Sequence, residues 1–333
     1  MNFAISLSQY YVMPCLALIT SIFENNRQND CRINLLTSGL KEDHISKFNR
    51  LAAIYKQQII IKQIPKEFYE NLPFHKRYSF ATYNRFMIAD LIEDEKVIYL
   101  DGDTIVRHDL SCLWNTPLDG YACGVVEDQR GDDIFVHNRN KIATPYFNAG
   151  VQLINLDYWR QNNIGQKMVT YLKEHIDTCL YVDQDAANKI LSGKVKYLDF
   201  KYNFMEDWFY PTDQWQIHFS KWDRILADRE DPYIVHYCRG LKPWFKECVH
   251  PLKHEFIHYA TMHDFIGYKE QKYFPFSYKV VSYLIYRLRQ IQDSYGKWSY
   301  CPFIIWITFI YTTKLCEITY YYLYVLVRQI IHL

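Results

Sequence analysis

Two carboxylates separated by a single glycine, Asp101-Gly102-Asp103, follow directly on the apolar run Lys96-Val97-Ile98-Tyr99-Leu100. Acids at the C-terminal end of a buried strand stand where open α/β sheets bind ligands. A hard divalent cation takes one or two carboxylates and completes its shell with phosphate oxygens, the arrangement of Mg²⁺ and Mn²⁺ sites that act on activated phosphate esters. Successive side chains on a regular strand point to opposite faces. The two acids can therefore share one cation only if the chain turns just after Asp101, and Gly102 permits that turn. An acidic turn ending a strand can equally be a plain surface loop. The chain has 37 acidic residues, and Asp183-Gln184-Asp185 repeats the spacing.

The elements that must position such a pair read as alternating strands and helices, the pattern of a mainly parallel sheet covered on both faces. Strands are expected at Phe3 to Leu7, Arg32 to Leu36, Gln58 to Ile61, Lys96 to Leu100, Cys123 to Val126 and Gly150 to Ile154, with Tyr233-Ile234-Val235 as a further short one. Helices are expected at Met13 to Phe23, Glu42 to Tyr55, Phe80 to Leu91, Ile164 to Ile176 and Asp183 to Leu191. The fold class is α/β.

Length and composition narrow the function. The 333 residues suffice for one large α/β domain plus an appendage. A net charge of +1 argues against nucleic acid as a partner, since a basic stripe would be required. The balance conceals an asymmetry: from Tyr268 onward eight basic residues face three acidic ones. An acidic body with a basic, aromatic tail suits a protein held against an anionic membrane face. Nine scattered cysteines without a Cys-x-x-Cys pair indicate neither a disulfide framework nor a zinc site, and the first residues form a strand rather than an export signal. The expected location is cytoplasmic, peripheral at the inner face of the cell membrane.

Four segments, Tyr99-Leu100-Asp101-Gly102-Asp103, Phe147-Asn148-Ala149-Gly150-Val151, Asp183-Gln184-Asp185 and His236-Tyr237-Cys238-Arg239-Gly240-Leu241-Lys242-Pro243-Trp244, occur in an order that resembles family 8 glycosyltransferases. The chain looks like the bacterial members that add galactose or glucose to lipopolysaccharide or lipooligosaccharide cores. The resemblance covers residues 1–265 and leaves 266–333 as a helical tail. It implies a Rossmann-like nucleotide-diphospho-sugar transferase fold of type A and a retaining hexosyl transfer from a UDP-sugar to a saccharide or glycolipid acceptor.

The resemblance also assigns residues. His236 would join Asp101 and Asp103 as the third metal ligand, and its imidazole nitrogen favours Mn²⁺, with Mg²⁺ as the alternative. Lys242 would stabilise the departing diphosphate. Arg85, Gly102, Asp128, Asn148, Ala149, Asp183, Gln184 and Gly240 would line the donor. Gln184 would stabilise an oxocarbenium-like state by its amide oxygen, with Asp183 as a rival nucleophile. Each has a structural alternative: Arg85 pairing with acids, Asp128 an exposed loop acid, the 147–151 segment a tight turn entering a strand, Asp185 stabilised by the helix dipole alone.

Two departures stand out. Where relatives carry an acid and an asparagine after the first strand to hold the base, this chain has Ser6-Leu7-Ser8-Gln9-Tyr10-Tyr11, which leaves stacking on Tyr10 or Tyr11 and bonds from Ser6 and Ser8. Arg239 precedes Gly240 where relatives have glycine sooner after the histidine. The altered base segment leaves a noncatalytic sugar-nucleotide or glycan-binding protein as an alternative, and a glycogenin-like self-glucosylating protein as another. Acceptor loops are expected at Arg130 to Thr144 and Trp208 to Asp223. In the tail, Tyr300 to Thr313 is fourteen residues without a charge, about 21 Å as a helix and short of the roughly 30 Å hydrocarbon core. Arg287, Arg289, Lys297 and Arg328 around abundant aromatics favour an interfacial position.

Overall fold

In the computed structural model, which describes residues 1–70, 72–73, 79–129, 145–209 and 219–272, a seven-stranded sheet runs in the order β3-β2-β1-β4-β7-β6-β8. Its strands are β1 Asn2–Leu7, β2 Arg32–Thr37, β3 Gln58–Gln63, β4 Lys96–Leu100, β6 Cys123–Glu127, β7 Phe147–Asn155 and β8 Val195–Tyr197. β3, β2, β1 and β4 are parallel, whereas β7 runs antiparallel to both β4 and β6. The expected mainly parallel, mixed sheet is what forms.

Both faces of the central strands are covered. On β1, Phe3, Ile5 and Leu7 pack into one core while Ala4 packs into the other; on β4, Ile98 and Leu100 oppose Val97 and Tyr99 in the same way. This is why these strands read as unbroken apolar runs rather than as alternating ones. The first core is roofed by α1 Val12–Asn25, α2 Glu42–Tyr55 and α10 Lys253–Thr261. The second is roofed by α4 Ile88–Leu91, α6 Leu156–Gln161, α7 Ile164–His175 and α8 Val182–Ile190. Shorter helices α3 Lys66–Glu70 and α5 Ser111–Trp114, and α9 Phe219–Glu230, complete the described helices.

A second sheet of three strands, β5 Thr104–Val106, β10 Ile234–His236 and β9 Phe204–Met205, was absent from the sequence expectations except for the segment at 233–235. β10 pairs antiparallel with β5, setting His236 opposite Thr104, and parallel with β9, setting His236 beside Met205. Helix α1 clamps this sheet: Ser21 Oγ accepts the Val106 N–H at 2.9 Å and Asn25 Nδ2 donates to the Val106 carbonyl at 3.0 Å.

The helix expected over Phe80 to Leu91 is a 3₁₀ stretch, Phe80–Met87, that becomes α-helical only at α4. The reason lies in a three-residue aromatic period. Side chains three apart eclipse in a 3₁₀ helix, and Phe80, Tyr83 and Phe86 stack successively at 6.0 and 5.8 Å. Against this stretch lies Gly165 in α7, where a Cβ would stand 2.0 Å from the Phe86 carbonyl oxygen. Gly165→Ala is therefore expected to lower the unfolding free energy by about 1 to 3 kcal/mol, the usual cost of overpacking. An unchanged denaturation midpoint in urea would refute the close packing.

The strand expected at Gly150 to Ile154 extends to Phe147–Asn155, so the 147–151 segment lies inside β7 instead of forming a turn before it. Its pairing with β6 is interrupted: Val125 faces Gln152 but Val126 faces Asn148. The backbone of Ala149, Gly150 and Val151 is thereby released toward the strand ends where the acids lie.

Residues past 265 continue on the body, with Gln271 accepting from Lys246 N–H at 2.8 Å and donating to the Trp244 carbonyl at 2.9 Å. The tail from 273, acceptor loop 130–144 and residues 210–218 lie outside the described residues. No described helix is long and apolar enough to cross a membrane. Trp208 and Phe209, expected in an acceptor loop, are core residues packed on Phe200 and Phe204.

Candidate metal and diphosphate site

The turn after β4 is closed by Thr104, whose N–H and hydroxyl both donate to the Asp101 carbonyl, at 3.2 and 2.8 Å. Gly102 does not adopt a left-handed conformation here. Its lack of a side chain serves a different end, because a Cβ would meet the Tyr11 ring at 3.3 Å. The turn sends Asp103 into β5, and β5 lies against β10. Thus Asp101 and Asp103 converge with His236, 133 positions after Asp103, each offering one ligand atom within 4.8 Å of the others. His236 Nε2 is 3.4 Å from Asp103 Oδ1. This is the one such cluster among the described residues.

The donor set, two carboxylate oxygens and one imidazole nitrogen, fits a divalent ion with positions left for phosphate and water. Space for it depends on Gly150. A Cβ there would stand 2.3 Å from His236 Cε1 and 2.9 Å from Asp101 Oδ2. The Gly150 carbonyl also accepts the Asp101 N–H at 2.8 Å, so the interrupted segment of β7 forms the floor of the site.

Lys242 reaches the same place. Its Nζ donates to Asp103 Oδ2 at 2.6 Å and to the Tyr237 carbonyl at 2.7 Å. Burial disfavours charge on Asp103, but the Lys242 ammonium outweighs it, and the carboxyl is held well below its usual range. Burial likewise opposes charge on Lys242, and Asp103 overrides it to push the ammonium upward. A charged lysine at a divalent site is a second positive centre for a diphosphate. Tyr11, edge-on to Trp244 at 5.5 Å, closes this side, and burial pushes its hydroxyl up to about 12.

Arg85 sits beneath the candidate metal ligands, 6% exposed. Its Nη2 donates to Asp101 Oδ1 and its Nη1 to the Ala149 carbonyl, both at 2.7 Å. Nε lies 3.0 Å from Asp183 Oδ2 without the alignment of a hydrogen bond, and the guanidinium covers the Tyr99 ring at 4.5 Å. Arginine thus meets acids, as its structural alternative held. Burial pushes the Asp183 carboxyl up to about 7 against the opposing pull of Arg85. The turn between α7 and α8 that aims Asp183 inward is strained, because buried Val182 has φ of 38°, a conformation β-branched residues avoid.

The other residues expected to line a donor form one network. Gln184 Oε1 accepts the Ala149 N–H at 3.0 Å, and Gln184 Nε2 donates to Asp128 Oδ2 at 3.2 Å. Asn148 Nδ2 donates to the same carboxylate oxygen at 3.0 Å. Asp185 accepts the Leu180 and Tyr181 N–H groups and the Tyr146 hydroxyl, so it is a buried structural acid that caps backbone donors at the helix start. At the base end, Ser6 Oγ donates to the Ala81 carbonyl, and Ser8 makes no side-chain cap bond. Tyr10 is 94% exposed and Gly240 faces open space.

Sequence reasoning missed three contributors. Tyr99 donates its hydroxyl to Asp101 Oδ1 at 2.8 Å; a spacing of two on a strand, which puts both on one face, was the available signal. Gly150 was noted only as small. Asn203, at the end of a 3₁₀ turn leading into β9 and opposite His236 Nδ1 at 2.9 Å, carried no signal.

Behind the site, His250 is packed edge-on by Phe209 and Tyr237 at 4.9 and 4.6 Å. Burial, reinforced by Arg239 and His254, pushes its imidazole down to about 3. An unfolded histidine takes its proton near pH 6.5, so between about 6.5 and 3 the unfolded state binds the extra proton. Stability is therefore expected to fall with decreasing pH below 6.5, by about 2 kcal/mol at pH 5 from this group. Urea titrations at pH 5, 6 and 7.5 should show that loss reduced in His250→Asn. Parallel losses in both proteins would contradict it.

A mixed sheet with a turn of two acids at the end of a central strand, met by a histidine from a second sheet and a lysine from the loop that follows it, defines a type A glycosyltransferase fold. The chain belongs to glycosyl transferase family 8, whose model matches residues 2–248. It is similar to a candidate glycosyltransferase of Haemophilus influenzae, 32% identical over 262 residues that cover 75% of this chain and 74% of the relative. It is also similar to a lipopolysaccharide 1,3-galactosyltransferase of Salmonella typhimurium, 27% identical over 267 residues covering 77% and 76%. Among solved structures, an active-site Gln-to-Glu mutant of LgtC matches with a TM-score of 0.67 at 25% identity, over 79% of this chain and 96% of that one. The protein is a hexosyltransferase.

Proposed function

We propose that the protein moves galactose or glucose, with retention, from a UDP-sugar to a saccharide acceptor on lipopolysaccharide core or another lipid-linked surface glycan. The convergence of Asp101, Asp103 and His236 beside the Lys242 ammonium carries this reading. A divalent cation bound by these three residues supplies Lewis-acid neutralisation of charge on the leaving diphosphate. Mn²⁺ suits the imidazole nitrogen better than Mg²⁺. The relative from Salmonella acts on lipopolysaccharide, which supports the acceptor class.

The protein's own residues do the rest. Lys242 brings a second positive charge to the diphosphate as it departs. Asp128, accepting two amide N–H groups from Asn148 and Gln184, presents a carboxylate to sugar hydroxyls, and the Ala149 N–H holds Gln184 in turn. Gln184 stabilises the oxocarbenium-like state. Asp183 is the weaker candidate nucleophile, being 5% exposed, engaged by Arg85 and pushed toward its neutral form. With Ser6 turned to Ala81, the base stacks on the exposed Tyr10 ring. Residues 1–265, with 266–272 packed on them, form the catalytic domain, and the basic aromatic tail beyond rests on the cytosolic face of the membrane.

The test is incubation of purified protein with Mn²⁺ and a panel of nucleotide sugars, with and without truncated lipopolysaccharide. Release of UDP from UDP-galactose or UDP-glucose, raised by acceptor and abolished by chelation, is expected. Failure to free nucleoside diphosphate from any donor would overturn the proposal. A mass gain of whole hexoses on the protein itself would favour the self-glucosylating alternative.

A further inference from the structure

A histidine that binds a metal through Nε2 must carry its proton on Nδ1, and something must hold it there. The group opposite His236 Nδ1 is Asn203 Oδ1, at 2.9 Å, on a residue with no exposed surface. An asparagine can present either its oxygen or its NH₂, so proximity alone does not decide the tautomer. The connections behind Asn203 do.

The backbone N–H of Gly150 can only donate, and it does so to the Asn148 side chain at 2.9 Å, which makes that atom the oxygen. Asn148 then turns its NH₂ to the Asp128 carboxylate at 3.0 Å. The same Asn148 oxygen faces the Asn203 side chain at 2.9 Å, so Asn203 must offer its NH₂ there. Its oxygen is left for His236, whose Nδ1 must therefore donate. The Nε2 lone pair then points to the side of Asp103, 3.4 Å away. Every link has one consistent polarity, and it is anchored at the Asn148 end by the Gly150 N–H and the Asp128 carboxylate, neither of which can reverse.

We propose that Asn203 is a positioning residue of the metal centre, holding His236 with Nε2 unprotonated toward Asp101 and Asp103. The inference rests on the metal-dependent reading above and adds a residue to it. The network also ties the sugar-side carboxylate Asp128 to the metal-side histidine through two asparagines, so both halves of the donor site share one hydrogen-bond frame.

Asn203→Leu, nearly isosteric, removes both bonds, whereas Asn203→Asp keeps an acceptor for Nδ1–H. Two readouts apply to the intact protein: the His236 tautomer by ¹⁵N-detected imidazole NMR without metal, and Mn²⁺ affinity by calorimetry. Wild type and Asn203→Asp should show the Nδ1–H form. Asn203→Leu should lose it and bind Mn²⁺ about 10- to 100-fold more weakly, the usual effect of removing a partner of a metal-bound histidine. An unchanged tautomer or an unchanged affinity in Asn203→Leu overturns the proposal. Should that variant not fold, Asn203→Ala is carried through the same measurements with the same criteria. Wild-type protein that shows the Nδ1–H form but does not bind Mn²⁺ would defeat the metal-dependent reading while leaving the orientation of His236 established.

Discussion

Replacing Gly150 with alanine is expected to abolish the Mn²⁺ binding proposed for this site and reduce kcat/KM by at least about 100-fold, the scale associated with displacing a reacting geometry by about 1 Å. The reason is steric and local. The added methyl would stand 2.3 Å from His236 Cε1, 2.9 Å from Asp101 Oδ2 and 3.0 Å from Asn148 Oδ1, so two metal ligands and the amide behind them must all retreat. None has room to do so independently. His236 is 3% exposed and tied to Asn203, while Asp101 is tied to Arg85 and Tyr99. The fold itself should survive, because Gly150 does not need a left-handed backbone conformation. Calorimetry with Mn²⁺ and a thermal melt check the two halves of this statement. A variant that melts normally yet binds Mn²⁺ as wild type would show that Gly150 does not define the floor of the site.

Arg85→Met should have the largest effect on stability. Arg85 lies between Asp101 and Asp183 and is the positive group that faces both. Removing one partner of a buried ion pair leaves uncompensated charge and typically costs about 3 to 5 kcal/mol. The loss is expected to depend on pH. In the wild type, burial already raises Asp183 to about 7. The folded state therefore binds more protons than the unfolded one between about pH 4 and 7, and stability from this group declines as pH rises through that window. Without Arg85 the folded pKa rises further, and the decline continues above pH 7. Asp183→Asn in the Arg85→Met background should recover much of the loss at pH 8.5 and little at pH 5. A double-mutant cycle in guanidinium at the two pH values measures this coupling; additive single effects at both would show that the pair is not coupled. Arg85→Lys should not rescue activity, since a point charge cannot bond Asp101 and the Ala149 carbonyl together.

Much of this was legible in residue order because strand ends and apolar runs are local signals. β1, β2, β4 and β6, helices α1, α2, α7 and α8, and the placing of Asp101 at a strand end follow from periodicity and from runs buried on both faces. The 3₁₀ stretch was not legible as such, although Phe80, Tyr83 and Phe86 at a spacing of three carried the cue. Of the three-stranded sheet only the segment at 233–235 was legible, as a short apolar run: β5, β9 and β10 are two or three residues long, too short for any periodic pattern, and their pairing left no local sign.

The sequence by itself determined which groups could do chemistry: two acids about a glycine, a histidine at a strand end, and a lysine six residues later. Only the tertiary structure decided that they meet, because pairing between β5 and β10 joins segments with 127 residues, 107–233, between them and leaves no trace in local order. It alone also revealed what Gly150, Tyr99 and Asn203 are for. A missing side chain, a hydroxyl or an amide acquires a role only from the atoms that packing brings within about 3 Å of it.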